Sequence, residues 1–103
     1  MTLSVVIATH NRKDVLARTL PSLLAQDLPP AEYEIVLVVD GSTDGTADML
    51  RALSPRCALR ILEAPRRGPG AARNAGVAAA RGDTVLFLDD DITCPRLLVS
   101  NDG

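Results

Sequence analysis

Apolar residues follow two rhythms along this chain. Continuous apolar runs occupy residues 3–9, 33–39 and 85–88, rich in Val, Ile and Leu. Runs of that length bounded by turn residues predict strands buried on both faces, as in a parallel sheet. Between them, apolar residues recur at helical spacing. Val15, Leu16, Thr19, Leu20, Leu23 and Leu24 mark a first helix, with Asn11 as its N-cap and Pro21 kinking it or ending its first half. Met49, Leu50 and Leu53 mark a second, capped by Thr43 or Asp44 and stopped by Ser54-Pro55. Residues 58–62 form a shorter strand, placed near an edge because Arg60 interrupts it. An Ala-rich helix spans 70–81 with Gly82 as its C′ residue, and Pro95 to Val99 opens a further helix.

The order is therefore βαβαβαβ. It predicts an α/β fold: one domain over residues 1–103, a mostly parallel sheet, right-handed crossovers and helices on both faces. In such a sheet the carboxyl ends of the strands share one edge, where open α/β folds bind ligands. Three polar clusters follow those ends: Thr9 to Arg12, Asp40 to Ser42, and Asp89-Asp90-Asp91. Three adjacent carboxylates at the mouth of a buried strand repel one another. They are most easily held around a divalent cation, Mn²⁺ or Mg²⁺, whose usual companion is a phosphate.

Composition narrows the partners. Hydrophobic residues make up 47% of the chain but aromatics only 2%, so the core is built from aliphatic side chains. A net charge of −2 argues against a nucleic-acid-binding module, which would be basic. No apolar run approaches the ~20 residues of a membrane span. Cys57 and Cys94 lie far apart and read as reduced thiols of a cytoplasmic protein. Arg66 and Arg67 read as solvated loop residues, and His10 as a polar wall near the pocket.

Four segments carry a resemblance. Ser4-Val5-Val6-Ile7-Ala8-Thr9-His10-Asn11-Arg12 comes first, then Val38-Val39-Asp40-Gly41-Ser42-Thr43-Asp44-Gly45-Thr46. Arg67-Gly68-Pro69-Gly70-Ala71-Ala72-Arg73-Asn74-Ala75-Gly76 and Leu86-Phe87-Leu88-Asp89-Asp90-Asp91 follow in that order. Together they resemble the nucleotide-sugar-binding half of a family 2 glycosyltransferase with the GT-A, Rossmann-like fold. The resemblance implies inverting transfer of a hexosyl-type sugar to an acceptor hydroxyl, saccharide or lipid-linked, from a UDP-, dTDP- or GDP-sugar. It implies that Thr9 and Asn11, with Arg12 beside them, line the nucleotide pocket and that Asp40 accepts a hydrogen bond from the base. Arg73 would reach the nucleotide, Asp90 would sit near the ribose, Asp91 would be the main metal ligand, and Asp89 would support either.

The pattern departs from the family in carrying Val39 before a single Asp40. No candidate base for deprotonating the acceptor is found. The resemblance places that base beyond residue 103, making the chain a truncated donor half, inactive alone. Surface left uncovered by truncation would favour self-association, and a longer parent would work in the cytoplasm or at the inner face of the membrane. Two alternatives compete. One is a fragment that binds nucleotide sugar and metal without turnover. The other reads Asp89-Asp90-Asp91-Ile92-Thr93 as the DxDxT signature of a haloacid-dehalogenase-like phosphatase, with Asp89 as nucleophile and Asp91 as acid. That motif normally sits on a first strand with a downstream lysine; here it comes last, and Lys13 is the only lysine.

Overall fold

The computed structural model describes residues 2–24, 29–53, 57–88 and 90. Four strands, β1 (Leu3–Thr9), β2 (Tyr33–Asp40), β3 (Ala58–Ala64) and β4 (Thr84–Leu88), alternate with three helices. The helices are α1 (Lys13–Leu24), α2 (Thr46–Arg51) and α3 (Pro69–Ala79). The strands form one parallel sheet in the order β3-β2-β1-β4. The predicted α/β class, the alternation and the parallel pairing all hold.

Strand alternation sorts the core into two layers. Val5, Ile7, Ile35, Leu37 and Val39 project to one face, where Leu16, Leu20 and Leu23 of α1 and Leu50 of α2 close over them. Val6, Val36 and Val38 project to the other, against Ala72 of α3. β1 and β2 are central and almost wholly buried, which is why their sequences are unbroken apolar runs.

Several local expectations are corrected. β4 does not lie buried on both faces: among the described residues it is an edge strand paired only with β1, and Phe87 is 46% exposed. Pro21 does not end α1, which continues to Leu24. Interior proline costs about 3 kcal/mol, but burial of Leu20 and Leu23 contributes about 1.5–3 kcal/mol each. The Tyr33 hydroxyl also bonds to the carbonyls of Leu23 and Leu24. Gly82 is not a left-handed helix terminator. Its N–H donates to Ser4 Oγ at 2.8 Å, and a Cβ there would lie 2.6 Å from the Leu3 carbonyl carbon. Glycine is required for that approach, not for a turn. The proposed helix at 95–99 lies outside the described residues.

Asn11 is not the cap of α1 either. That function falls to Asp44, whose Oδ2 accepts the Lys13 N–H at 3.0 Å while Oδ1 accepts the Thr46 N–H at 3.1 Å. One carboxylate thus serves the first turns of two helices, with the Thr46 hydroxyl as a further donor. The Thr46 hydroxyl first, and then these N–H groups, hold the Asp44 carboxyl below its ordinary range. Its stabilising effect is therefore present at neutral pH and lost as pH falls through that lowered value. Asp44→Ala is expected to lower the thermal midpoint at pH 7 and to leave a smaller difference from wild type in acid. An unchanged midpoint at pH 7 in circular-dichroism melts would show that water replaces the cap.

Candidate functional site

At the carboxyl edge of the sheet, loops from four strand ends surround a cavity of about 320 Å³. Thr9, Arg12, Asp40, Arg73 and Asp90, all expected at a nucleotide pocket, line it together. His10 and Arg66 line it as well. Asn11 does not appear among the lining residues. It adopts a left-handed backbone (φ 50°), tolerable for Asn, and turns its Oδ1 to the Thr43 N–H at 2.7 Å. Its own N–H donates to Ser42 Oγ at 2.9 Å. Asn11 therefore clamps the loop after β1 to the loop after β2. Asp89 and Asp91 lie outside the described residues.

Asp90 is 8% exposed. Its Oδ2 accepts the Thr9 hydroxyl at 2.9 Å, and its Oδ1 stands 3.5 Å from Arg12 Nε. Its backbone carbonyl accepts the Thr19 hydroxyl at 2.9 Å. Thr19 was legible only as one more member of the inward stripe of α1. Its hydroxyl in fact ties the helix to the acidic turn, and no sequence spacing announces such a contact.

Asp40 is 3% exposed and fully engaged with the loop after β3. Oδ1 accepts the Arg67 N–H at 2.8 Å; Oδ2 accepts the Gly68 N–H at 3.1 Å and Arg66 Nη1 at 3.2 Å. Arg66, expected in solvent, is indeed half exposed, and it is also an ion-pair partner at the cavity wall. The Asp40 carbonyl lies 2.7 Å from His10 Nδ1. A carbonyl can only accept, so Nδ1 is the donor there, and Nε2 faces Asn11 Nδ2 at 3.4 Å.

Within the cavity three guanidinium groups, of Arg12, Arg66 and Arg73, accompany two carboxylates. That surplus suits an anionic, oxygen-rich ligand. Among the described residues no three His, Cys, Asp or Glu side chains gather to hold a metal. Both oxygens of Asp90 already have partners, so Asp90 is poorly free to ligate. Mg²⁺ and Mn²⁺ prefer hard oxygen donors, and Asp89 and Asp91, the carboxylates beside it in sequence, lie outside the described residues.

Comparison with known proteins gives a consistent answer. The sequence model of the family Glycosyl transferase family 2 matches residues 4–100. The poly(ribitol-phosphate) beta-N-acetylglucosaminyltransferase TarS of Staphylococcus aureus is 38% identical over 93 residues, covering 88% of this chain. This chain spans only 16% of that relative's length. A crystal structure of S. aureus TarS in complex with UDP-GlcNAc superposes with a TM-score of 0.82 at 35% identity, covering 88% of this chain and 27% of that one. A mannosyltransferase from Pyrobaculum calidifontis in complex with GDP-Man and Mn²⁺ gives 0.84 at 32% identity, covering 90% and 28%.

Proposed function

The chain belongs to glycosyl transferase family 2, and from that premise we propose that it binds the donor of a glycosyl transfer, a nucleoside-diphosphate sugar. The observation that carries this is the convergence of Thr9, Arg12, Asp40, Arg73 and Asp90 from separate elements onto one cavity. The acidic turn after β4 takes the diphosphate end, with Asp91 as main ligand to Mn²⁺ or Mg²⁺, Asp89 assisting and Asp90 near the ribose. When bound, the cation neutralises charge developing on the leaving nucleoside diphosphate. Arg12 and Arg73 offer further donors to phosphate oxygens. The reaction assigned is transfer of a hexose to a hydroxyl acceptor with inversion. The carboxylate base it needs is assigned to the much larger part of the relatives' length that this chain does not span, so donor binding rather than turnover is the property claimed for these residues. The work is assigned to the cytoplasm or the inner face of the membrane.

The test is calorimetric titration of the chain with UDP, GDP and dTDP, each with and without Mn²⁺. One nucleotide is expected to bind in a metal-dependent way, and Asp91→Ala should weaken it at least about tenfold, as loss of one charged ligand predicts. A folded chain that binds none of the three overturns the proposal.

A further inference from the structure

Asp90 follows β4, which among the described residues is an edge strand paired only with β1. The register of that pair runs to Ile7 opposite Leu88, and β1 continues two residues further, to Thr9. Beyond Leu88 two hydroxyls hold Asp90. Thr9 Oγ1 donates to the carboxylate at 2.9 Å, and Thr19 Oγ1 donates to the backbone carbonyl at 2.9 Å. The first bond fixes the head group. The second fixes the main chain that carries it.

Thr19 acts from outside the site. It lies within α1, is 9% exposed and is not among the residues lining the large cavity, whereas Asp90 is. A threonine inside a helix commonly turns its hydroxyl back to the carbonyl four residues earlier. Thr19 Oγ1 does stand 3.1 Å from the Val15 carbonyl, so its one proton is shared, with the shorter contact going to Asp90. The helix ladder already supplies the Val15 carbonyl with the Thr19 N–H. On the core side, Thr19 and Asp90 share a void of about 10 Å³ with five aliphatic side chains of β1, α1 and β4. That volume is at the lower limit for one water, and aliphatic walls give a water too few partners. Water is therefore a poor substitute for the hydroxyl there.

Resting on the donor-site reading, we propose that Thr19 is a positioning residue of the donor site. Its hydroxyl seats the backbone of Asp90 on α1 and so sets where the Asp90 carboxylate meets the cavity. Without that donor the Asp90 carbonyl faces apolar side chains, and an unpaired buried carbonyl is strongly disfavoured. The segment relieves this by moving off α1 toward solvent, which draws the carboxylate away from Thr9 and Arg12. α1 would thus govern ligand affinity through a side chain that the ligand never touches.

The experiment measures the affinity of the wild-type chain and of Thr19→Val, Thr19→Ser and Thr19→Ala for UDP, GDP and dTDP in Mn²⁺, with urea midpoints of all four proteins. Thr19→Val keeps the shape and loses the hydroxyl; it should bind the preferred nucleotide about tenfold more weakly, the scale of one lost hydrogen bond with its acceptor left unpaired. Thr19→Ser loses the methyl and keeps the hydroxyl; it should bind within about twofold of wild type even though its urea midpoint falls. Affinity would then follow the hydroxyl and not stability. Should Thr19→Val not fold, Thr19→Ala and Thr19→Ser differ by the hydroxyl alone, and the alanine variant should bind about tenfold more weakly than the serine one. A folded Thr19→Val that binds like wild type overturns the inference, as does a Thr19→Ser that loses as much affinity as Thr19→Val or Thr19→Ala. In both cases the donor site itself stands. If wild type binds none of the three nucleotides, the donor-site reading falls, and this inference with it.

Discussion

Replacing Glu34 with alanine is expected to destabilise the chain by about 3–5 kcal/mol, the scale for removing one partner of a buried ionic cluster. Glu34 lies on β2, one of the two central strands, and is 0% exposed. Its Oε2 accepts the Ser4 hydroxyl at 2.6 Å and the Arg81 N–H at 2.7 Å; Oε1 lies 3.3 Å from Arg60 Nη1. Arg60 in turn bonds to the Ala79 carbonyl at the end of α3. The cluster joins β1, β2, β3 and the exit of α3 at the end of the sheet opposite the site. Alanine leaves three donors facing a void, and small domains have only about 5–15 kcal/mol in total. Burial by itself would raise the Glu34 carboxyl; the hydrogen bonds from Ser4, Arg81 and Arg60, with the charge of Arg60, outweigh it and hold the group below its ordinary 4.5. A depressed native value means that the stabilisation is complete above about pH 4.5 and is lost as pH falls through the native value. Glu34→Gln should therefore be less stable than wild type at pH 7 and should show a shallower acid loss. Urea titrations at pH 7 and in acid would check both. A Glu34→Ala midpoint within experimental error of wild type would mean that water enters and satisfies the donors.

That cluster also shows where the sequence stops being legible. The alternation of elements, the parallel order and the polar strand ends could all be read, because each depends on local periodicity and on the geometry shared by every parallel sheet. Thr9, Arg12, Asp40 and Asp90 were placed at one edge for that reason, whereas Arg73 was placed there only by the resemblance of its segment to the family. Arg60 was read as an interruption of an edge strand. Among the described residues β3 is indeed an edge strand, but Arg60 is the counter-ion of Glu34, and only the cross-strand register reveals it. Asn11, Asp44, Thr19 and Arg66 were misread or underread in the same way. Each uses a partner at least twenty-six positions away, on another element or loop. Local propensity favours the nearest helix terminus as their partner, and tertiary contacts override it. The exposure of β4 was missed because an apolar run reads alike whether or not a neighbouring element covers it.

The two glycines inside α3 are expected to respond to alanine with opposite signs. In a helix interior, Gly→Ala normally stabilises by about 0.5–1 kcal/mol through the unfolded chain. At Gly70 a Cβ would meet nothing within 4 Å, so Gly70→Ala should show a gain of that order, smaller if the first turn frays. At Gly76 a Cβ would lie 2.3 Å from Val6 Cγ1 and 3.3 Å from Val38 Cγ2. Val6 and Val38 are 1% and 0% exposed, on the two central strands, and β-branched side chains have few rotamers to retreat into. Overpacking of this kind costs about 1–3 kcal/mol, which exceeds the helix gain, so Gly76→Ala should be destabilised. The clash is with a side chain, so it can be relieved. In Gly76→Ala/Val6→Ala the two costs should fall short of additive by about 1 kcal/mol or more, as expected for residues in contact. α3 also carries Arg73 and begins beside Gly68, whose N–H is bound by Asp40. Pushing the helix off the sheet would therefore weaken nucleotide binding in Gly76→Ala, and the second substitution should restore part of it. Additive destabilisation with unchanged binding would mean that the helix shifts without strain, and that the close seat of Gly76 on Val6 does not set the position of Arg73.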